Sequence, residues 1–114
     1  MATTENFSFV PYTSIPASLD QSTAVKISGA RGQVVWVGLK VTAGTGDCTL
    51  IYWDTEMGEW MPYDRKMTVD IAVDGGKRIG RWLKDAELGQ WFQLVVPGGI
   101  TVEKARMRGI TIGS

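Results

Sequence analysis

Short runs in which apolar and polar residues alternate, each closed by glycine, constrain the fold of this chain more than any other feature. Residues 33–42 carry an aliphatic side chain at every second position, and residues 67–73 repeat the pattern. A period of two is typical of a half-buried strand, whereas an amphipathic helix has a period of about 3.6. No stretch of the sequence sustains the helical period, so we expect an all-β fold.

The pattern predicts about eight short strands, because such segments recur at intervals of about ten residues. The predicted segments after the N-terminal region are 24–27, 33–42, 48–54, 59–63, 67–73, 77–83, 90–96, 100–102 and 108–112. Strands at this spacing fit a β-sandwich or a small closed barrel. Irregular loops suit Greek-key crossings, so we predict a single-domain antiparallel β-sandwich of jelly-roll type.

Glycine-rich loops indicate how neighbouring strands connect. The loops at 43–47 and 55–58 have the length and composition of hairpin connections. Together they predict a meander of three strands, each beside its predecessor. Residues 29–32 have the composition of another turn.

The segment Asp74-Gly75-Gly76 is a further hairpin signal, but its register is ambiguous. A two-residue turn leaves Ile79 on the solvent face, and a three-residue turn directs Trp82 outward. We therefore expect a bulge within residues 77–83, because a bulge lets the alternation change face. Residues 84–88 allow one helical turn at most.

The N-terminal residues 1–20 differ from the rest of the chain. Residues 7–12 form an extended aromatic segment, and Pro11 and Pro16 exclude a helix there. This region is either an arm that supplies the first strand or an arm that reaches a neighbouring subunit. We assign residues 21–114 to the sandwich domain.

Composition excludes several classes of function. The 114 residues contain no histidine, one cysteine, and 12 basic and 12 acidic residues, for a net charge of zero. A balanced charge argues against a dedicated nucleic-acid binder, which usually carries a basic excess. Cys48 alone can form neither an intrachain disulfide nor a cysteine zinc site. The N-terminus has no signal-peptide pattern and no apolar run is long enough to span a bilayer, so we expect synthesis in a cytoplasm.

Catalytic patterns are scarce. A serine or cysteine nucleophile normally needs a histidine base, which this chain lacks. Four acids, Asp54, Glu56, Glu59 and Asp64, could provide a glycosidase carboxylate pair or calcium ligands. The simpler interpretation is that they are solvated side chains at a hairpin tip. We expect no enzyme activity, no metal and no cofactor.

Five tryptophans are more than a core of this size normally needs. Trp53 and Trp60 flank one predicted hairpin, with Tyr52 and Tyr63 nearby. They could form a cross-strand pair in the core, anchor a protein interface, or stack against a glycan. In the glycan alternative, the platform consists of Trp53, Trp60 and Tyr63.

Basic residues gather late in the chain and are interleaved with Trp82 and Trp91. They are Lys77, Arg78, Arg81, Lys84, Lys104, Arg106 and Arg108. Such a strip could bind single-stranded nucleic acid. Five acids within the same region dilute it, so charged strand edges are the preferred interpretation and nucleic-acid binding is not expected.

The chain resembles small bacteriophage virion proteins, in particular capsid decoration (cement) proteins and related head or tail accessory proteins. The resemblance lies in the proline-marked arm at 7–16, the neutral sandwich, and the hairpins at 41–47 and 53–60. It implies a structural protein of the virion that forms homo-oligomers and binds a major capsid or tail protein, with no catalytic residues to transfer.

On this hypothesis the partner contacts an arm and an aromatic face. The expected interface residues are Phe7, Phe9, Val10, Pro11, Tyr12, Trp53 and Trp60. The alternative is a sandwich resembling a carbohydrate-binding module, which would use the platform of Trp53, Trp60 and Tyr63.

Overall fold

The computed structural model describes residues 3–27, 33–84 and 91–111, which contain eight strands and one short helical turn. The elements are β1 (Thr3–Ser8), β2 (Val25–Lys26), β3 (Gln33–Ala43), β4 (Thr45–Asp54), β5 (Glu59–Asp70), α1 (Ile71–Asp74), β6 (Lys77–Lys84), β7 (Trp91–Val95) and β8 (Thr101–Thr111). The turn predicted at 29–32 and the helical turn predicted at 84–88 lie outside the described residues, apart from Lys84, which ends β6.

The strands form two antiparallel sheets of four. Sheet A has the order β1-β8-β3-β6, and sheet B has the order β2-β7-β4-β5. The chain thus pairs its first strand with its last, its second with its seventh, and so inward to the β4–β5 hairpin. This is the order of a long hairpin wrapped into a jelly roll, which confirms the predicted single-domain sandwich. Four of the strands are longer than predicted, at 10–12 residues.

The core lies between the two sheets and follows the alternation seen in the sequence. Val35, Val37, Leu39 and Val41 of β3 are all 4% exposed or less. They face side chains of sheet B that are equally buried, including Phe92. Burial of this apolar surface is the main source of stability, at about 25 cal/mol per Å².

The predicted three-stranded meander is wrong, because β3 and β4 belong to different sheets. The chain changes sheet at Gly44, whose φ of 99° is available to glycine but strained for other residues. A Cβ at this position would lie 2.2 Å from the carbonyl oxygen of Gly99. The second predicted hairpin is confirmed, since β4 and β5 pair around the turn at 55–58.

The predicted strands at 59–63 and 67–73 are one continuous strand, β5, that stops at Asp70. Met67 and Val69 are buried as predicted, but Ile71 and Val73 lie in α1 and are 36% and 83% exposed. The cause is local: the Asp70 carboxylate accepts a hydrogen bond from the Ala72 amide and caps the helical turn. The chain then crosses from sheet B to sheet A.

The hairpin at Gly75-Gly76 and the bulge within 77–83 are also wrong. β6 pairs with β3 in an unbroken register, so no bulge is needed to place Ile79 and Trp82. Trp82 is 3% exposed and Ile79 is 67% exposed. An irregular register is found instead where β3 pairs with β8, between Lys40 and Ala43.

The substitution Gly44→Ala tests the sheet-switching corner. We expect it to lower the free energy of unfolding by roughly 2–4 kcal/mol, because it adds a left-handed strain and a clash with backbone. Gly58→Ala is the matched control: its φ is also positive, at 66°, but an added Cβ meets nothing within 4 Å. Urea denaturation of both variants measures the difference, and equal losses would contradict the close packing at this corner.

Candidate interaction surfaces

The segment that follows β1 leaves sheet A and joins the edge of sheet B. The Phe9 amide donates to the Ala105 carbonyl oxygen at 3.2 Å, which continues the β1–β8 pairing. Three residues later the Tyr12 amide donates to the Leu94 carbonyl oxygen at 2.9 Å, and the Val96 amide donates to the Tyr12 carbonyl oxygen at 2.8 Å. Residues 9–12 therefore bridge the two sheets along one side of the sandwich.

An open groove of about 680 Å³ runs beside this bridge. Its apolar lining includes Phe7, Phe9 and Trp91, and the two phenylalanines also pack against the core. Val10 lies on the same lining and is 81% exposed, an unusual position for an aliphatic side chain. Five predicted interface residues, Phe7, Phe9, Val10, Pro11 and Tyr12, thus lie together along this edge groove.

Residues 12–24, which we call the strap, cross the outer face of sheet B. The Trp60 indole N–H donates to the Ser18 carbonyl oxygen at 3.1 Å, and the Gln93 amide Nε2 donates to the Thr23 carbonyl oxygen at 2.8 Å. The hydroxyls of Tyr12 and Thr23 are hydrogen-bonded at 2.6 Å. These contacts attach the strap to its own domain.

A tight turn at Asp20 shapes the strap. The Asp20 carboxylate accepts hydrogen bonds from the Ser22 hydroxyl at 2.6 Å and the Ser22 amide at 3.0 Å. These bonds favour the ionised form and lower the pKa of Asp20. The Ala24 amide also donates to the Asp20 carbonyl oxygen, which leads the chain into β2.

The expectation of an exposed Trp53–Trp60 face is wrong for Trp60, which is 4% exposed. Its ring lies between Tyr12 and Trp53, with edge-to-face centroid distances of 6.2 and 5.6 Å. Tyr63 packs against the core and contacts Tyr52 at 5.3 Å. Trp53, Trp60 and Tyr63 therefore do not form one open platform, and Trp53 and Trp60 make the cross-strand pair that was one of the alternatives.

Gln93 is the important residue that the sequence analysis missed. It is fully buried on the outer face of sheet B, where Ile51 opposite is also 0% exposed. Its side chain donates to the strap and accepts from the Leu94 amide at 2.9 Å.

Asp54, one of the four acids near the β4–β5 hairpin, has a structural role at its turn. The Asp54 carboxylate accepts from the amides of Glu56 and Met57 at 3.0 and 3.2 Å. This is the local pattern of an Asx turn. Within residues 3–27, 33–84 and 91–111, no group of three or more acidic or cysteine side chains lies close enough to hold a metal ion.

Cys48 is completely buried in β4. Burial raises the pKa of its thiol to about 11, and the neighbouring Asp47 carboxylate adds to the shift. A thiol held in its neutral form is a poor nucleophile. Cys48 therefore acts as a small apolar side chain of the core.

No protein-family model matches the chain, and no curated protein is similar to it in sequence. In the described part of the chain, no helix has the length and apolar character needed to cross a membrane.

Trp60→Ala tests the strap. We expect the free energy of unfolding to fall by about 3–5 kcal/mol, the usual cost of truncating a buried aromatic side chain. Trp36→Ala is the matched control, because Trp36 is a partly exposed tryptophan on the other sheet, and it should cost about 1 kcal/mol or less. Chemical denaturation measures both, and a fully stable Trp60→Ala variant would contradict the packing described here.

Cys48 provides a test by pH. Since burial raises the pKa of the thiol from 9.0 to about 11, the unfolded state binds fewer protons than the folded state between these two values. Folding stability should therefore fall as pH rises through this window. The fall should be smaller in Cys48→Ala, measured by urea denaturation at several pH values. Rapid labelling of the native thiol by a disulfide reagent at about pH 8 would contradict its burial.

Proposed function

We propose that this chain is a non-enzymatic structural subunit of a virion, and that it binds protein neighbours along the β1 edge. The observation that carries the proposal is the edge groove, an open apolar groove beside an edge strand. The resemblance of the chain to capsid decoration proteins supports two partners: a shell or tail protein, and a second copy of the chain.

The backbone of β1 is suited to strand addition. In the described part of the chain, β8 is the only strand that pairs with β1. Phe9 is hydrogen-bonded to Ala105, and bonding residues alternate along an antiparallel pair. The amides of Thr4, Asn6 and Ser8 therefore point away from β8, toward the open edge. An extended segment of a neighbour can add there, gaining main-chain hydrogen bonds.

The side chains of the edge groove supply the apolar part of the contact. Phe7 and Phe9 line it while they pack against the core, so their positions are fixed before a partner arrives. Val10 projects from the bridge with 81% of its surface exposed. A partner that covers Val10 and fills the groove gains free energy from apolar burial, with little loss of side-chain entropy.

Two copies of the chain can use the same edge on both sides. Antiparallel pairing of β1 with β1 of a second copy is self-complementary, as a twofold interface requires. The two four-stranded sheets A would then become one sheet of eight strands. Self-association is the property to measure, because its measurement requires no other partner to be identified.

Val10→Asp and Ser8→Pro test the proposal. We expect the wild type to form a discrete oligomer over roughly 1–100 µM, and both variants to weaken it about tenfold or more. Aspartate places a charge in the apolar contact, and proline removes an amide that faces the partner. Light scattering after size exclusion measures the mass, and circular dichroism confirms the fold.

Val73→Asp is the matched control for Val10→Asp, because Val73 is 83% exposed but lies in α1, far along the chain from the edge groove. It should leave the oligomer unchanged. A wild type that is monomeric at every concentration, or a Val10→Asp variant that assembles normally, would contradict self-association by the β1 edge.

A further inference from the structure

The outer face of sheet A is unusually basic for a neutral chain. The strands of this sheet contain eight of the 12 basic residues and two of the 12 acids. Six of the eight share the outer face with Trp36: Lys40, Lys77, Arg81, Lys104, Arg106 and Arg108. Of the other two, Arg78 lies opposite the buried Leu39, and Lys84 ends β6. The acids are Glu5 and Glu103. The strands of sheet B carry the opposite balance, with three basic and five acidic residues. The balanced charge of the sequence therefore conceals a separation of charge between the sheets.

The strand register sets these side chains in rows across the face. Lys77, Lys40 and Lys104 lie side by side on β6, β3 and β8. Four residues earlier on β3, Arg81 and Arg108 flank Trp36 in the same way. Neighbouring strands are about 4.8 Å apart, so like charges this close repel one another unless an anion covers them.

Trp36 lies at the centre of the face, partly exposed. The Arg81 guanidinium is 5.6 Å from the centre of the Trp36 ring, and Arg108 donates to the Asn6 side-chain oxygen at 2.9 Å. A shallow groove of about 240 Å³ lies beside the ring. Gly38 lines this groove and leaves the space open, because glycine has no side chain to fill it.

The two acids of these strands lie in different places. Glu103 pairs with Lys40 at 3.1 Å, whereas Glu5 is on the same side of β1 as Phe7, which packs against the core. Two of the acids that dilute the basic strip in the sequence, Asp70 and Asp74, accept backbone amides around the α1 connection. Both acids stay charged, but they belong to β5 and α1, so neither is part of a strand of sheet A.

From these observations we infer that the outer face of sheet A binds single-stranded nucleic acid. Arginines and lysines in rows contact successive phosphates, and an aromatic ring between arginines stacks against a base. An acidic protein surface would use the cations but would gain little from Trp36. A duplex would keep its bases stacked and out of reach of the ring.

The experiment measures fluorescence anisotropy of labelled oligothymidylate and oligouridylate of about 20 nucleotides, on the intact chain. We expect micromolar affinity in low salt, on the order of 1–10 µM, for at least one of the two. The logarithm of the affinity should fall linearly with the logarithm of salt concentration, with a slope of about −0.7 for each phosphate contacted. The two oligonucleotides distinguish DNA from RNA as the preferred ligand.

Matched variants locate the site. Arg106→Glu/Arg108→Glu should weaken binding at least about tenfold, whereas Lys26→Glu/Lys66→Glu changes the net charge equally on sheet B and should weaken it about twofold or less. Trp36→Ala should weaken binding about five- to 100-fold, and Trp36→Phe should restore most of it. Thermal unfolding of each variant confirms that it is folded.

Three results would overturn the inference. The first is no binding of either oligonucleotide at about 100 µM protein in low salt. The second is an equal loss of affinity in the two charge-reversed double variants. The third combines two observations: oligoglutamate of equal charge competes as strongly as unlabelled oligonucleotide, and Trp36→Ala has no effect on binding. That result would identify an acidic protein surface as the occupant instead.

Discussion

The packing of the strap on sheet B determines which surfaces of this molecule are open. Trp60 and Gln93 each donate a hydrogen bond to a strap carbonyl, and together with Ile51 they are almost fully buried beneath it. This small cluster lies outside the sandwich core, so the strap covers part of the outer face of sheet B, while Lys66 and Thr68 on that face stay exposed. Among the described residues, no comparable segment crosses the outer face of sheet A. That face and the β1 edge are therefore two surfaces that a partner can reach.

These two surfaces are compatible with each other. Strand addition at β1 takes place in the plane of sheet A and leaves its outer face uncovered. Pairing of two copies through β1 would join two basic faces into one continuous surface, with a Trp36 in each half. Because affinity for a long polyanion rises with the number of phosphates contacted, assembly and nucleic-acid binding would strengthen each other.

The core was predictable from the sequence because it depends on local alternation. The period of two on β3 identifies Val35, Val37 and Leu39 as buried, and they are. The connections were not predictable from the same signals, because glycine marks a hairpin and a change of sheet alike. Gly44 turns the chain into the other sheet, and Asp70 ends β5 by capping a helical turn.

The surfaces were harder to predict than the core, since they depend on contacts between distant residues. Trp60 is buried by Ser18, 42 positions away, and a tryptophan beside a hairpin gives no indication of that. The basic face combines residues of β3, β6 and β8, whose order in the sheet follows from the topology. The aromatic segment at 7–12 was recognised from the sequence, because the residues that line this surface are neighbours along the chain.

The most direct test of this account is hydrogen exchange of the backbone amides of the wild-type protein, measured by NMR. If the strap is attached in solution, the amides of Tyr12, Ala24 and Val96 should exchange at least about 100-fold more slowly than in an unstructured peptide, because all three donate hydrogen bonds that depend on it. Exchange of these amides at the unstructured rate, with β3 still protected, would mean that the strap is detached and that sheet B offers an open face.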